Sequence, residues 1–260
     1  MAGKRNRLAL AWCVAMLALA ISPSAALADH PLEPDLVTLK LHQEDLLVSA
    51  DETKTLLKLS NRVGNQGAGP LEIRPGASST NCDGDDDPEN DLPGFQRVYE
   101  HEWVPGGNNS FSETPIGCMR FHPPHNHWHV MSIARYSLYD EATGSLTEGN
   151  KVGFCLLDSG GIDGGNGGFY NANGCGNSTT LPTLTGISPG FFDLYSFATP
   201  GQRINVTGLE SGRYCLRSSA DPDNNLFESD DSNNSVDLQI RLNPERQVVK
   251  KLSRTCELGR

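Results

Sequence analysis

Short runs of alternating apolar residues set the fold class. DLVTLKLH (Asp35 to His42) places Val37, Leu39 and Leu41 on one face, the period-two pattern of a half-buried strand. KTLLKLSNRVGNQG reads as a further strand closing in a polar turn at Gly64 to Gly67. RVYEHEWV, HVMSIARYSLYD, KVGFCLLD, GRYCLRSS and SVDLQIRL are more of the same kind. They are rich in aromatic and β-branched residues and bounded by Gly, Asn, Asp and Pro. No stretch sustains a helical period between caps. The expectation is an all-β chain with a β-sandwich-like core, long irregular loops and little helix. There is no internal repeat and no clear linker, so one domain is the simplest count for the 260 residues.

The first residues bear on location. Lys4, Arg5 and Arg7 precede an apolar run from Leu8 to Ile21, and Ala26-Leu27-Ala28 forms a small-residue cleavage site. Such a run is short for a membrane span and right for a signal peptide. The expectation is a leader over 1–28, a secreted or periplasmic domain over 29–260, and no stable membrane anchor. Of seven cysteines, Cys13 lies in the leader, which leaves Cys82, Cys118, Cys155, Cys175, Cys215 and Cys256. An even number in an exported chain implies disulfides, although six cysteines allow fifteen pairings. Order along the chain suggests 82–118, 155–175 and 215–256. Losing Lys4, Arg5 and Arg7 without any acid moves the formal net charge from −11 to −14. A surface of that sign excludes nucleic acid as a natural partner and favours cations.

HPPHNHWH (His122 to His129) holds four of the seven histidines. Along a strand, residues two apart share a face, so His125, His127 and His129 project together, roughly 6–7 Å apart. That spacing suits one metal if the strand bends, and Pro123 and Pro124 provide an irregular entry. Imidazole serves copper, zinc, iron and nickel, and the pattern does not choose among them. His122 falls outside the alternation and reads as a spare or supporting residue. Three protein ligands with open positions is a catalytic arrangement. Two loops stand out elsewhere. NCDGDDDPEND (Asn81 to Asp91) is acidic and reads as a solvated loop. SGGIDGGNGGFYNANGCG (Ser159 to Gly176) has eight glycines in eighteen residues and reads as a mobile surface loop tied at Cys175.

In chain order, HPPHNHWH, RYSLYD, GNKVGFCLLD, ISPGFFDLY, SGRYCLR and FESDDSNNSV resemble the catalytic domain of the lysyl oxidase family. PDLV and NRVGNQG upstream resemble family segments too, so the likeness runs from about Pro34 to about Leu242. The resemblance implies a copper amine oxidase that turns peptidyl lysine or another primary amine into an aldehyde, consuming O2 and releasing ammonia and hydrogen peroxide. It assigns His125, His127 and His129 to Cu2+. It also implies a self-derived lysine tyrosylquinone, with Lys151 as its lysine and Tyr195 as its tyrosine. Without it, Lys151 reads as a strand-edge lysine and Tyr195 as a core aromatic. Asp193, on the same face as Tyr195 in an extended chain, is a candidate base.

FESDDSNNSV offers Glu228, Asp230, Asn233 and Asn234, four oxygen-bearing side chains in seven residues. Hard divalent cations take such ligands, and the alternative is an Asx-rich turn. By resemblance these residues form a Ca2+ site completed by Asp35 and the Leu36 backbone. The sequence also departs from the family. A family cysteine inside the histidine motif is Pro124 here, and the cysteine before the tyrosine block is Phe191. The competing reading is a non-catalytic secreted metal-binding β-sandwich, holding Zn or Cu plus Ca in a structural or adhesive role. The Lys151 and Tyr195 pair separates the two, since a binding module has no need of it.

Overall fold

The computed structural model describes residues 31–79, 81–82, 91–149, 153–254 and 256. The expected leader, Lys151 and most of the acidic loop lie outside the described residues. What is described is all-β: seventeen strands, with only short 3-10 turns between them.

Four antiparallel sheets carry the molecule. One orders the strands Leu146–Glu148, Ala134–Asp140, Gly212–Ala220, Ser235–Asn243 and Val248–Lys251. A second orders Thr185–Ile187, Leu71–Pro75, Asp91–Tyr99, Phe111–His122 and His127–Val130. A third joins Leu36–Thr38, Asn61–Asn65, Phe191–Tyr195 and Gly160–Gly161, and a fourth joins Arg203–Asn205, Thr55–Leu59 and Leu46–Ala50. KTLLKLSNRVGNQG, expected as one strand, is two, because the chain leaves the fourth sheet and enters the third at Ser60. Leu36–Thr38 packs on Gly212–Ala220 and Ser235–Asn243, so the third sheet stacks on the first. Leu36, Leu57, Ile73, Leu138, Leu216 and Ile240 come from all four sheets, and each is fully buried or nearly so within one continuous apolar cluster. Burial of that kind is the main favourable term in folding.

Disulfides Cys82–Cys118, Cys155–Cys175 and Cys215–Cys256 form in the order expected from the chain. The glycine-rich segment is more structured than expected. Gly160 and Gly161 pair with Phe192 and Phe191, and the turn Ala172–Cys175 docks by its disulfide to Cys155. KVGFCLLD also departs from expectation. From Gly153 onward it forms no ladder, and Phe154 makes only an isolated bridge to Val130. Among the described residues, no helix is long and apolar enough to cross a membrane.

Candidate metal centre

The histidine motif is a hairpin, not a single strand. Phe111–His122 runs in, Pro123–His125 makes one 3-10 turn, and His127–Val130 runs out. Pro123 and Pro124 are suited to that turn because their φ is fixed near the helical value. Asn126 closes it at φ 54, a left-handed value that asparagine tolerates, and its N–H donates to Pro123 O at 3.1 Å. His125 therefore reaches the cluster from the turn, and the strict alternation holds only for His127 and His129. The other face of the outgoing strand carries Trp128 and Val130 into the core, which anchors the histidine face.

The register brings in the residue that alternation leaves out. His122 pairs with His127, so their side chains share a face. The His122 ring lies 4.3 Å from that of His125 and 4.7 Å from that of His129, centroid to centroid. His122, His125 and His129 each offer a ring nitrogen within 4.8 Å of the others. The signal for this was present: the PPHN stretch between His122 and His127 has the length and composition of a hairpin loop.

The donor set fits a transition metal. His129 Nε2 lies 3.2 Å from His125 Nδ1 and 3.0 Å from His127 Nε2. Nitrogens about 2.0–2.1 Å from one ion stand about 2.9 Å apart at a right angle and about 3.3 Å apart in a tetrahedron. These two separations fall in that interval. The three histidines whose ligand atoms all lie within 4.8 Å of one another are His122, His125 and His129, a group that takes in His122 and leaves out His127. His129 is 4 % exposed, so its side of the cluster is nearly dry.

Tyr195 approaches from the third sheet. It ends Phe191–Tyr195, where Asp193 and Tyr195 face inward and Leu194 outward. Its hydroxyl donates to Cys155 O at 3.0 Å and accepts from Cys155 N at 2.6 Å. Its ring stands edge-on to Phe154 at 4.1 Å. Burial, then the charge of Asp193, holds this phenol well above the ordinary tyrosine range. Asp193 is itself buried and accepts from Ser159 Oγ at 3.0 Å. One segment thus touches both features. Phe154 bridges to Val130, beside His129, while Cys155 holds Tyr195. A Cβ at Gly153 would stand 2.8 Å from Met131 Sδ, the movable end of a flexible side chain, 3.1 Å from Val130 O and 3.2 Å from His129 Cβ, so the segment lies close against the histidine strand.

The acidic motif near the C-terminus meets the first strand. Glu228 accepts from Leu36 N at 2.6 Å and from Asn234 Nδ2 at 2.7 Å. Asn233 Nδ2 donates to Asp35 Oδ1 at 2.8 Å. Asn233 Oδ1 and Asn234 Oδ1 are buried without a hydrogen-bond partner. Burial pushes Glu228 up to about 7. A half-buried carboxylate beside two unanswered amide oxygens is a donor set that a hard cation satisfies. Asp230 points elsewhere, accepting from Ser232 N and Ser232 Oγ in its own turn.

The fold and site together are an all-β scaffold in which one short segment joins a histidine hairpin to a buried tyrosine. The chain belongs to the lysyl oxidase family, whose profile matches residues 103–252. That span takes in the hairpin, Tyr195 and the acidic motif. PDLV and NRVGNQG precede it. Human Lysyl oxidase homolog 1 is 37% identical over 128 residues, 48% of this chain and 21% of its own length. Protein-lysine 6-oxidase of Sus scrofa is 33% identical over 138 residues, 52% of each chain. The Rattus norvegicus protein of the same name is also 33% identical over 138 residues, 31% of its length. The chain thus spans from about a fifth to about half of these relatives.

Proposed function

We propose that the chain is a copper-dependent amine oxidase acting on peptidyl lysine or another primary amine. His125, His127 and His129 are the copper ligands in this reading, with His122 beside them, and Lys151 and Tyr195 supply a lysine tyrosylquinone. The observation that carries it is the shared segment: Gly153 lies against His129, Cys155 holds the Tyr195 hydroxyl, and Lys151 is two residues before Gly153 in the chain. Relatives named protein-lysine 6-oxidase support the same chemistry. Copper, when bound, supplies the one-electron chemistry with O2 that oxidises the tyrosine ring.

The chain's own residues do the rest. The Cys155 backbone holds the Tyr195 ring in place through both its N–H and its carbonyl. Phe154, edge-on to the ring and buried, excludes water from one side of it. Asp193, buried on the same inward face, is the base we favour for proton transfer near the ring. In this reading Asp35, Leu36, Glu228, Asn233 and Asn234 form a Ca2+ clasp between the first strand and the acidic motif, and Asp230 joins them by turning from its bonds to Ser232. A cleaved leader over 1–28 and one catalytic domain over 29–260, acting outside the cytoplasm, belong to the same reading. The three disulfides fit an oxidising compartment, and the net charge of −11 fits a cationic substrate.

The test is to express the chain with copper, digest it and search by mass spectrometry for a cross-linked Lys151–Tyr195 peptide, while assaying peroxide release from primary amines. Both peptides unmodified and no peroxide would sink the oxidase reading and leave a metal-binding β protein.

A further inference from the structure

The outgoing histidine strand ends beside a methionine that the proposed function does not use. Met131 follows Val130, and its N–H donates to Cys118 O at 3.0 Å. Its sulfur packs directly on Gly153, since a Cβ there would stand 2.8 Å from Met131 Sδ and 3.2 Å from His129 Cβ. The sulfur and His129 Cβ are thus no farther apart than the sum of those two distances. Met131 is half-buried. It lines a cleft of about 370 Å³ together with Ile116, Ser132, Asn225 and the Cys82–Cys118 disulfide. The side chain therefore meets the cleft on one side. On the other it meets the segment that joins the histidines to Tyr195.

The chain holds its own comparison. Of its four methionines, Met1 and Met16 fall in the expected leader, which leaves Met119 and Met131. Met119 is fully buried in the apolar cluster. A thioether is oxidised to the sulfoxide where an oxidant can reach it, and an apolar side chain becomes a polar one. Met131 has that access and Met119 does not. A reactant released next to its target also meets it far more often than one arriving from bulk solution.

We propose that Met131 is a self-oxidation site: hydrogen peroxide released at the histidine centre converts its thioether to the sulfoxide, and activity falls as turnover proceeds. This rests on the reading of the chain as an amine oxidase, which supplies the peroxide. The sulfur lone pair attacks one peroxide oxygen. An S–O bond forms as the O–O bond breaks, and sulfur loses two electrons. The departing hydroxide takes the proton of the transferred oxygen and leaves as water. An oxygen added at this sulfur either presses on Gly153 or turns the side chain into the cleft. Both end the apolar contact with Gly153. The segment then loosens two residues before Cys155, whose backbone holds the Tyr195 hydroxyl.

The first arm of the test needs no turnover. The metal-free full chain is treated with hydrogen peroxide and digested with trypsin, which separates the two methionines by cutting at Arg120. Mass spectrometry is expected to find Met131 oxidised about tenfold or more faster than Met119, because sulfoxidation follows access. Equal rates, or a slower Met131, overturn the site. In the second arm the copper-loaded chain turns over a primary amine, with catalase clearing peroxide from the bulk. Met131 sulfoxide is expected to accumulate with the aldehyde, and Met131→Leu, a volume-conserving change, to keep its rate for longer. Aldehyde formed while Met131 stays a thioether overturns self-oxidation. A Met131→Leu rate that declines as fast as the wild type overturns the link to activity. A chain that forms neither aldehyde nor peroxide strikes the oxidase reading instead, and the first arm still decides whether Met131 is the peroxide-reactive site.

Discussion

His129 is the imidazole around which the cluster converges, with ring nitrogens of His125 and His127 at 3.2 and 3.0 Å from its Nε2. His129→Ala is expected to weaken copper binding by more than about 100-fold, beyond the 10–100-fold usual for residues that only support a ligand. His122→Ala is expected to fall within that supporting range. Competition against a coloured chelator measures both, and equal losses would make His122 a ligand. Alternation made His127 and His129 legible in the sequence. It left out His122, because cross-strand register is a property of the hairpin and not of either strand. Glu113 offers a second check at this scale. The guanidinium groups of Arg74 and Arg97 hold its carboxyl down to about 2, below its ordinary 4.5. A depressed acid adds stability that is full above its unfolded pKa and fades as pH falls from about 4.5 to about 2. Solvent screens this pair, so its share is about 0.5–1 kcal/mol. Glu113→Gln is expected to flatten that part of the acid unfolding curve. A curve identical to the wild type would remove the assignment.

At the scale of elements, the segment after Lys151 shows where pattern reading stops. GFCLLD has strand composition, yet its polar backbone groups are answered one at a time. Phe154 bonds Val130, Cys155 bonds the Tyr195 hydroxyl, and Leu156 O accepts from Gly186 N and Thr185 Oγ1. Partners scattered over three other stretches leave no trace in local alternation. Tyr195→Phe strips Cys155 N of its acceptor in a site that is 1 % exposed. The expected cost is about 1–3 kcal/mol in denaturant unfolding, with the cross-linked peptide absent. A stable Tyr195→Phe protein with no measurable cost would mean that the hydroxyl does not hold this segment. The acidic motif was more legible, since it is local, although its contact with Asp35 and Leu36 came only by resemblance. Removing calcium with a chelator is expected to lower Tm and to raise amide exchange at Leu36, whose N–H now bonds Glu228. Exchange that ignores added calcium would argue for a plain Asx-rich turn.

For the whole molecule, the question is whether four small sheets behave as one body. Sheets of three to five short strands are weak alone, because each has only one face to bury. Here the chain crosses from the fourth sheet to the third at Ser60 without a loop, and Leu36–Thr38 lies on the strands of the first. Trp128 and Val130, behind the histidines, share a single apolar cluster with Tyr136, Tyr195 and Leu216. The all-β class was legible because alternation is local. The layering was not, because it depends on which buried faces meet. A cluster that continuous leaves no plane along which half the molecule opens cheaply, and Cys215–Cys256 ties the last described residue to a central strand. The chain from residue 29 onward is therefore expected to unfold in one calorimetric transition, with van't Hoff and calorimetric enthalpies equal. The histidine hairpin and the tyrosine should lose structure together, followed by tyrosine near-UV signal and by histidine NMR lines. Two transitions, with the second sheet and its histidines melting apart from Tyr195, would show that the pairing of metal site and tyrosine depends on a docking contact and not on one shared core.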